Sequence, residues 1–361
     1  MNLRTYQQEA VAFLTSRRRG FLVAPAGSGK TVCGAAALLA LQPASFAWVA
    51  NTKEQVQQAE AALAAVGLEG MVCCMMARPD LSSYDIVVID ESHHSSAAVW
   101  SYVISSVRRD ATLWGLSATP WGEDEDRNEF LKNVFVNFAF IDREEVMAGG
   151  HLVPGVVRPV DLDTPMQYEQ ELKPLIDAEV KRRCLRFRFV PEHEHRKRAT
   201  WQLTLEHLQN NMARNAAIIN IARSEMEAGE TVIVLVSSIK HGERLAEEIP
   251  GAEVLHSKLP AKVRRARVEA LREGTLRCAV ATSLMDEGAD FPIAGVIILA
   301  SAGRSATKTI QRTGRVMRPH AGKTEGVVYD FVDRGLIYAH AQWKARRRVY
   351  QELGYTIATE P

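Results

Sequence analysis

The 361-residue sequence has few cysteines, no long apolar run and no excess of one charge. Its five cysteines form no C-x-x-C pair, so neither a common zinc motif nor a dense disulfide framework is predicted, and we expect reduced thiols in the cytoplasm. The longest nearly apolar run, Val32 to Leu41, is far too short to span a membrane. The polar N-terminal residues also lack the apolar region of a signal peptide.

The overall charge gives no information about partners, because 44 Lys and Arg stand against 43 Asp and Glu. One local cluster, from Lys181 to Arg198, holds eight Lys or Arg and two Glu, with Phe187 and Phe189 among them. Two interpretations stay open: either it contacts phosphates while its aromatics stack on bases, or it is a solvated helix face with two core aromatics. The basic residues of Lys344–Arg348 are expected to form a solvated helix end.

Short apolar segments alternate with helical patterns in both halves of the chain. This alternation predicts an α/β fold in which parallel sheets are covered by helices on both faces. The predicted strands are Gly20–Pro25, Ser45–Asn51, Met71–Met76, Asp85–Asp90, Thr112–Ala118, Thr231–Val236, Ala252–Ser257, Arg277–Ser283, Gly295–Ala300 and Gly326–Phe331.

The rhythm of strands and helices stops between about 160 and 215, where four prolines and the basic cluster lie. We therefore predict a first domain at 1–158, a linker with a short basic insertion at 159–215, and a second domain at 216–361. From Thr200 onward, apolar residues at roughly helical spacing predict one long amphipathic helix that leads into the second domain.

The strongest motif is a glycine-rich turn between a predicted strand and an Ala-rich helix, at Gly20–Thr31. Gly27 and Gly29 allow the backbone to fold around a phosphate, and the helix start adds a favourable dipole. In such loops a lysine, here Lys30, holds the β- and γ-phosphates, and a hydroxyl, here Thr31, ligates Mg²⁺. The strict pattern has glycine at position 24, where this chain has Ala24.

A second motif places two carboxylates at the end of a predicted strand. Asp90 is suited to Mg²⁺, and Glu91 is suited to orient or deprotonate an attacking water. Ligands of open α/β sheets lie at the carboxyl ends of strands, where the glycine turn also lies. For His93 and His94 we expect hydrogen bonding at a surface or between domains rather than metal binding, since no Cys or His constellation accompanies them.

The third motif, Gln311–Arg318, carries arginines that could neutralise a γ-phosphate. Guanidinium is always charged and binds phosphate in a bidentate manner, and an arginine from a second domain can stabilise the charge of phosphoryl transfer. Arg315 and Arg318 are three residues apart, which predicts a shared helical face.

With these motifs in this order, the chain resembles superfamily 2 helicases of the DExH type, found among DNA-repair helicases, phage recombination helicases and restriction-enzyme motor subunits. The resemblance covers nearly all of the chain outside 160–200, and it implies two tandem RecA-like domains, each a doubly wound parallel sheet. It implies ATP and Mg²⁺ as cofactors and ATP hydrolysis between the domains. It also implies a single-stranded or branched nucleic acid as partner, which we expect to be DNA bound by a monomer.

The resemblance also assigns roles to residues. Those on the nucleotide side are Gln7, Gly27, Ser28, Gly29, Lys30, Thr31, Gly288, Asp290 and Gln311. Those implied to act in hydrolysis are Lys30, Asp90, Glu91, Arg315 and Arg318, with Thr31 and Asp90 on Mg²⁺. The residues implied to couple the state of the bound nucleotide to the binding of the nucleic-acid strand are His93, Ser117 and Thr119. Strand contacts are Thr52, Lys53 and Thr282, to which the basic cluster adds Arg182 and Arg186.

Four other functions compete with a DNA helicase. A translocase could hydrolyse ATP on duplex nucleic acid without separating strands, and the motifs do not distinguish it from a helicase. An RNA helicase would carry the same motor motifs. A single-domain phosphate-loop enzyme would leave the second-half motifs unexplained. A binding module without ATPase activity is disfavoured because every catalytic residue type is present.

Overall fold

The computed structural model describes residues 2–91, 97–118, 121, 125–162, 167–187, 189–282, 293–301, 303 and 305–359. Contacts between Cα atoms divide the chain into two compact units at Leu152 and Val153. Each unit is built on its own parallel sheet, so the α/β class and the two tandem sheets predicted from the sequence are confirmed.

The first unit contains a six-stranded sheet in the order β3-β2-β4-β5-β1-β6. Its strands are β1 (Arg19–Val23), β2 (Phe46–Ala50), β3 (Met71–Cys74), β4 (Ile86–Asp90), β5 (Thr112–Ser117) and β6 (Asn137–Phe140). Its helices are α1 (Thr5–Thr15), α2 (Lys30–Leu41), α3 (Lys53–Ala64), α4 (Ala97–Ser105), α5 (Glu125–Val134) and α6 (Arg143–Ala148).

Both faces of this sheet are buried, because successive side chains of a strand point to opposite sides. Leu22 and Trp48 belong to one core, while their neighbours Phe21 and Val49 belong to the other. Helices cover each face, and the carboxyl ends of all six strands lie at one edge. That edge carries the residues of the candidate site.

The second unit contains a seven-stranded parallel sheet in the order β13-β7-β12-β11-β8-β10-β9. Its strands are β7 (Gly155–Val160), β8 (Thr231–Leu235), β9 (Ala252–Leu255), β10 (Cys278–Ala281), β11 (Ala294–Leu299), β12 (Gly326–Phe331) and β13 (Thr356–Ile357). Its helices are α7 (Gln167–Arg186), α8 (Glu192–Asn210), α9 (Met212–Glu227), α10 (Ile239–Glu248), α11 (Ala261–Arg272), α12 (Ala306–Val316) and α13 (Ile337–Glu352).

All ten predicted strands are present, but β6, β7 and β13 were not predicted. The strand β7 pairs with β12 throughout its length, so residues 155–158 lie in the second sheet rather than in the first domain predicted to end at 158. The described part of the predicted linker, 159–215, is mostly helical, and it is grouped with the second unit.

The single long helix predicted from Thr200 is wrong, because the chain turns at Asn211 between α8 and α9. Asn211 has an extended backbone, and its side chain accepts a hydrogen bond from the N–H of Arg214 at 2.9 Å, which caps α9. Conversely, Pro174 lies inside α7 and does not end it. Among the residues described, no helix is long and apolar enough to cross a membrane.

Candidate active site

The glycine-rich turn connects β1 to α2 and adopts the predicted backbone conformation. Gly27 and Gly29 have φ of 88° and 86°, in the left-handed region that glycine tolerates without a Cβ clash. A Cβ on Gly29 would also come within 2.6 Å of Nε2 of Gln7. The helix α2 then begins at Lys30, so its unpaired N–H groups face the turn. This geometry is that of an anion site.

Lys30 is buried in the turn, with only 8% of its side chain exposed. Its Nζ donates to the carbonyl oxygen of Ala24 at 3.2 Å and lies 3.5 Å from Oε1 of Glu91. A buried ammonium needs such partners. The structure therefore brings together a lysine and a glutamate that are 61 positions apart in the sequence.

The two carboxylates at the end of β4 have different surroundings. Asp90 is buried, and burial together with the negative charge of Glu91 raises the pKa of its carboxyl above the ordinary value. Glu91 follows with a φ of 47°, which is unusual for a residue with a side chain, and its N–H donates to the carbonyl of Leu116 at 2.9 Å. Strained backbone of this kind clusters at functional sites.

Ser117 completes this group from the end of β5. Its hydroxyl donates to Oε2 of Glu91 at 3.5 Å, and the residue is fully buried. The register explains the contact, because Val23 lies opposite Ser117 and Asp90 lies opposite Leu116 in neighbouring strands. Lys30, Glu91 and Ser117 thus meet at the carboxyl edge of the first sheet, where the glycine turn and the two carboxylates were predicted to lie.

Gln7 lies against the glycine-rich turn between β1 and α2, which we also call the phosphate loop. Its Nε2 donates to the carbonyl of Ser28 at 3.0 Å, and its Oε1 accepts from the N–H of Arg4 at 3.1 Å. The hydroxyl of Tyr6 donates to the same Ser28 oxygen at 3.1 Å. Tyr6 was not predicted, and its place next to Gln7 in the sequence was the only available signal. Both ends of the Gln7 amide are therefore engaged by the protein.

Two residues of the first unit, Thr52 and Lys53, are predicted to contact the nucleic-acid strand, and their surroundings differ. Thr52 caps α3: its side chain accepts from the N–H of Gln55, whose Oε1 accepts from the N–H of Thr52 at 3.1 Å. Lys53 is exposed. Thr52 therefore has a structural role that was not predicted, whereas Lys53 is open to solvent.

In the second unit Thr282 follows β10, and its N–H donates to the carbonyl of Leu255 at the end of the neighbouring β9 at 3.1 Å. Exposed cations lie in the turn after β9 and on α11, namely Lys258, Lys262 and Arg265. Those of α11 were not predicted, although three basic residues within four positions of the sequence could have indicated them.

The basic cluster is less available than its sequence indicates. Arg182 donates through Nε to Glu179 at 2.8 Å, and Arg183 contacts the same carboxylate at 2.7 Å. Hydrogen bonds from Arg182 and Arg183 lower the pKa of Glu179 to about 2. Arg186 is exposed, and its guanidinium carbon lies 5.3 Å from the ring centre of Phe187.

The arginine motif lies on α12 and the turn that follows it. Gln311 and Arg315 are on the helix, and Arg315 is buried. The shared helical face predicted for Arg315 and Arg318 is wrong, because α12 ends at Val316. The N–H of Arg318 still contacts the carbonyl of Arg315 at 3.5 Å, within the turn after the helix.

Two buried arginines hold the segment that precedes α12. Arg346 forms a bidentate pair with Asp330 at 2.7 and 2.8 Å and donates to the carbonyl of Gly303 at 2.9 Å. Arg214 pairs with Asp333 and donates to the carbonyl of Ala300 at 3.2 Å. The expectation that Lys344–Arg348 is wholly solvated is wrong at Arg346, which faces the core of the unit.

Four predicted site residues, His93, Thr119, Gly288 and Asp290, lie outside the described residues, as does His94.

Two family models match the chain. Residues 213–320 match the helicase conserved C-terminal domain, and residues 1–72 match the res subunit of type III restriction enzymes. A putative helicase 22 of Sulfolobus islandicus filamentous virus is 28% identical over 70% of this chain and 43% of its own length. A putative DNA 3′-5′ helicase Rad25 of Halobacterium salinarum is 26% identical over 88% of the chain and 52% of its own length.

Among solved structures, a fragment of a putative HsdR subunit of a type I restriction enzyme from Vibrio vulnificus has a TM-score of 0.65 at 17% identity. The match covers 92% of this chain and 64% of that fragment, and it reflects the shared fold. The chain spans about half the length of the curated relatives it matches. Both family models match in the expected order on the two parallel-sheet domains, and the chain is therefore similar to the superfamily 2 helicases that its motifs resemble.

Proposed function

We propose that this chain is a motor that hydrolyses ATP to move along, or separate, strands of DNA. The observation that carries the proposal is the meeting of Lys30, Glu91 and Ser117 beside the glycine turn at the carboxyl edge of the first sheet. A phosphate cradle, a buried lysine and a constrained carboxylate form the set that ATP hydrolysis requires.

Each residue of this set has a distinct task. Lys30 exchanges its contacts with Ala24 and Glu91 for the β- and γ-phosphates. Glu91, released from the lysine, orients the attacking water and accepts its proton. Ser117 holds the second oxygen of Glu91, so that a change at one is transmitted to the other. We assign Ser117, with His93 and Thr119, to the coupling of nucleotide and strand.

The buried carboxyl of Asp90 suits a divalent cation, because a nearby positive charge would favour its ionised form against burial and Glu91. Thr31 follows Lys30 at the start of α2 and would add its hydroxyl. Asp90 and Thr31 would hold Mg²⁺, which would supply positive charge to offset that of the phosphates. We further assign Gln7 to the adenine; to read it, the amide must leave Ser28 or Arg4.

The second domain is proposed to complete the site when the two domains close. Arg315 and Arg318 would then neutralise the γ-phosphate, while Gly288, Asp290 and Gln311 contact the nucleotide. A guanidinium that arrives only at closure acts on the transition state rather than on ATP binding. The resemblance to the helicase family supports this assignment.

We propose DNA as the strand, since the named relatives include DNA helicases of the Rad25 type. We propose Lys53 and Arg186 as contacts of the DNA because they are exposed, and Thr282 because it follows the carboxyl end of β10. Thr52 and Arg182 are proposed with them, although Thr52 also caps α3 and Arg182 is paired with Glu179. We place the motor in the cytoplasm and expect it to act as a monomer.

ATPase assays test this function. With single-stranded DNA, duplex DNA and RNA as activators, DNA should stimulate turnover most. Lys30→Ala should lose ATP binding and turnover, because the fixed cation on the phosphates is removed. Glu91→Gln should keep ATP binding and reduce hydrolysis by ~10²–10⁴, the range for loss of a general base. Exposed Glu69→Gln serves as the matched control. Wild-type hydrolysis by Glu91→Gln would remove the basis of the proposal.

A strand-displacement assay then distinguishes the two kinds of motor. A helicase releases a labelled strand from a partial duplex in the presence of ATP. A duplex translocase hydrolyses ATP on the same substrate without release, and it displaces a bound protein from duplex DNA instead.

A further inference from the structure

The helices α7 and α8 pack against each other and are joined by a short turn. Ionic and polar contacts link them, since Arg196 pairs with Asp177 at 2.6 Å and Arg183 donates to Gln202 at 2.6 Å. The residues around the turn, here named the hairpin tip, are Leu185, Arg186, Phe187, Phe189 and Val190. They line an open pocket of about 400 Å³.

The body of this hairpin neutralises its own charge. Arg182 and Arg183 share Glu179, and Arg196 lies between Asp177 and Glu192. A guanidinium group that is already paired with a carboxylate binds an additional anion only weakly, because the existing ion pair must first be broken. The sequence cluster of eight basic residues therefore overstates the charge available along the shafts of the helices.

The hairpin tip is unusually apolar for a surface. Phe189 is fully exposed, Leu185 is 74% exposed and Phe187 is 49% exposed. Scattered apolar residues on a surface are ordinary, but a contiguous group of this kind marks an interaction site. The core-aromatic interpretation of Phe187 and Phe189 is therefore wrong.

The turn that presents these side chains is held by hydrogen bonds. The carbonyl of Phe187 accepts from the N–H of Val190 at 3.2 Å and from Nε2 of the buried His195 at 3.1 Å. Since a carbonyl only accepts, Nε2 of His195 carries the proton in this contact. A buried polar side chain thus fixes the backbone beneath an exposed aromatic, and the tip is preorganised for binding.

Exposed cations lie at the tip and on the two helices that lead to and from it. Within the described part of the chain, Arg186, Lys197 and Arg198 are exposed and form no ion pair with a carboxylate. Arg186 lies against the ring of Phe187, which places a positive charge and a flat apolar surface side by side. The complementary partner carries negative charge and exposes flat rings, a description that fits unpaired nucleotides.

We propose that the hairpin tip binds single-stranded nucleic acid, with bases stacked on Phe187 and Phe189 and phosphates contacted by Arg186 and by the exposed cations of the adjoining helix. The proposal rests on the proposed function and names the element that recognises unpaired bases. Because every base has a stacking face, binding is tolerant of sequence. A duplex hides these faces, so the tip favours single strands over intact duplex.

The test compares an oligothymidylate with an abasic strand of equal length, which keeps the phosphates and lacks the bases. Fluorescence anisotropy is measured on the full chain without ATP, at fixed salt. The wild type should bind the oligothymidylate about tenfold more tightly or better. Phe187→Leu combined with Phe189→Leu keeps apolar volume but removes the rings, so this preference should disappear. Phe189→Trp should retain it, and exposed Phe140→Leu of the first unit serves as control.

A second readout reports stacking directly. A strand with 2-aminopurine should change its fluorescence on binding the wild type and Phe189→Trp, but not the double Leu variant. Equal base preference and equal fluorescence in the double variant would overturn the proposal while leaving the motor function intact. Concentration-dependent self-association lost in the double variant, with strand binding unchanged, would assign the tip to a second copy instead. Failure of the wild type to bind any strand would overturn both proposals.

Discussion

At the scale of single residues, the site depends on backbone conformations that few side chains tolerate. Gly29 ends the phosphate loop in the left-handed region, and Glu91 occupies the same region with a full side chain. Gly29 meets a second constraint, because Gln7 lies where its Cβ would be. The glycine thus satisfies the turn and the packing of α1 at the same time.

Gly29→Ala should therefore lower both stability and nucleotide affinity. The left-handed conformation costs a residue with a Cβ about 1–2 kcal/mol. The clash with Gln7 adds to that cost, since both ends of its amide are already bonded. We expect a melting temperature lower by several degrees and at least tenfold weaker ATP binding, measured by calorimetry and by titration of a fluorescent ATP analogue.

Two further variants separate these causes. Gly67 has φ of 70° and open space where a Cβ would lie, so Gly67→Ala reports the backbone cost alone. Adding Gln7→Ala to Gly29→Ala relieves the clash but not the backbone cost. Wild-type stability and affinity in Gly29→Ala would contradict both causes.

The phosphate loop could be predicted because its spacing dictates its backbone, as Gly27, Gly29 and Lys30 illustrate. The carboxylates followed from their place at the end of an apolar strand. The pairing of Arg346 with Asp330 could not be predicted, because a helix face and a strand end 16 positions away meet only through packing. Tyr6 was missed for the same reason, since its partner is a carbonyl in another element.

At the scale of elements, caps and short turns decide where helices begin and end. Asn211 divides a predicted helix into α8 and α9, and Thr52 begins α3 with reciprocal contacts to Gln55. The strand β7 escaped prediction because it is not a continuous apolar run: it contains Arg158 and Pro159. Local polarity concealed a strand that pairing with β12 stabilises.

Thr52 and Lys53 are neighbours in the sequence, but we expect their substitutions to affect different properties. Thr52→Ala should cost ~1 kcal/mol of the first unit's stability, because the cap of α3 is lost, and Thr52→Ser should keep it. Lys53→Gln should leave stability unchanged and reduce the slope of log affinity against log salt by ~0.7–0.9, as for one phosphate contact. Urea unfolding and strand binding at several salt concentrations measure the two effects; an unchanged slope would exclude Lys53 as a contact.

The helix α10 carries a buried histidine that makes the second unit sensitive to acid. His241 contacts Oδ1 of Asn215 at 2.9 Å, and burial, with the charges of Arg244 and Arg214, lowers its pKa to about 4. Above pH 6.5 the ring is neutral in both the folded and unfolded states. Between pH 6.5 and 4 the unfolded chain binds a proton that the native chain does not, so stability falls as the pH falls.

Between pH 6.5 and 4, we expect His241 to lower the free energy of unfolding of the second unit by on the order of 2–3 kcal/mol, at about 1.4 kcal/mol for each pKa unit. Amide hydrogen exchange in β8 and β10 at pH 7 and pH 5 measures the loss. His241→Gln does not titrate there, so its stability should depend less on pH. The same slope in both proteins would assign the effect to other groups.

At the scale of the whole molecule, the proposed motor depends on arginines that lie far along the chain from Lys30. Arg315→Ala or Arg318→Ala should leave nucleotide affinity within a few fold, because the contact forms only at closure. Hydrolysis should fall by ~10³ or more, the scale of an arginine finger. Lysine at either position should rescue poorly, since it lacks the planar fork.

The measurement pairs titration of an ATP analogue with steady-state turnover, each with and without single-stranded DNA. Exposed Arg347→Ala of α13 is the control. Both arginine variants should still bind DNA, yet DNA should no longer stimulate them. Full stimulation in both would contradict closure, and with it the motor.

The two sheets also differ in when they can form during synthesis. All six strands of the first sheet are present once residue 140 has been made, so that sheet can close early. The strand β7 ends at Val160, but its neighbour β12 starts only at Gly326, and β13 is later still. At the usual rates of translation, β7 waits on the order of ten seconds without its partner. A ribosome that pauses in this interval holds a finished first sheet beside a strand that still lacks its neighbours.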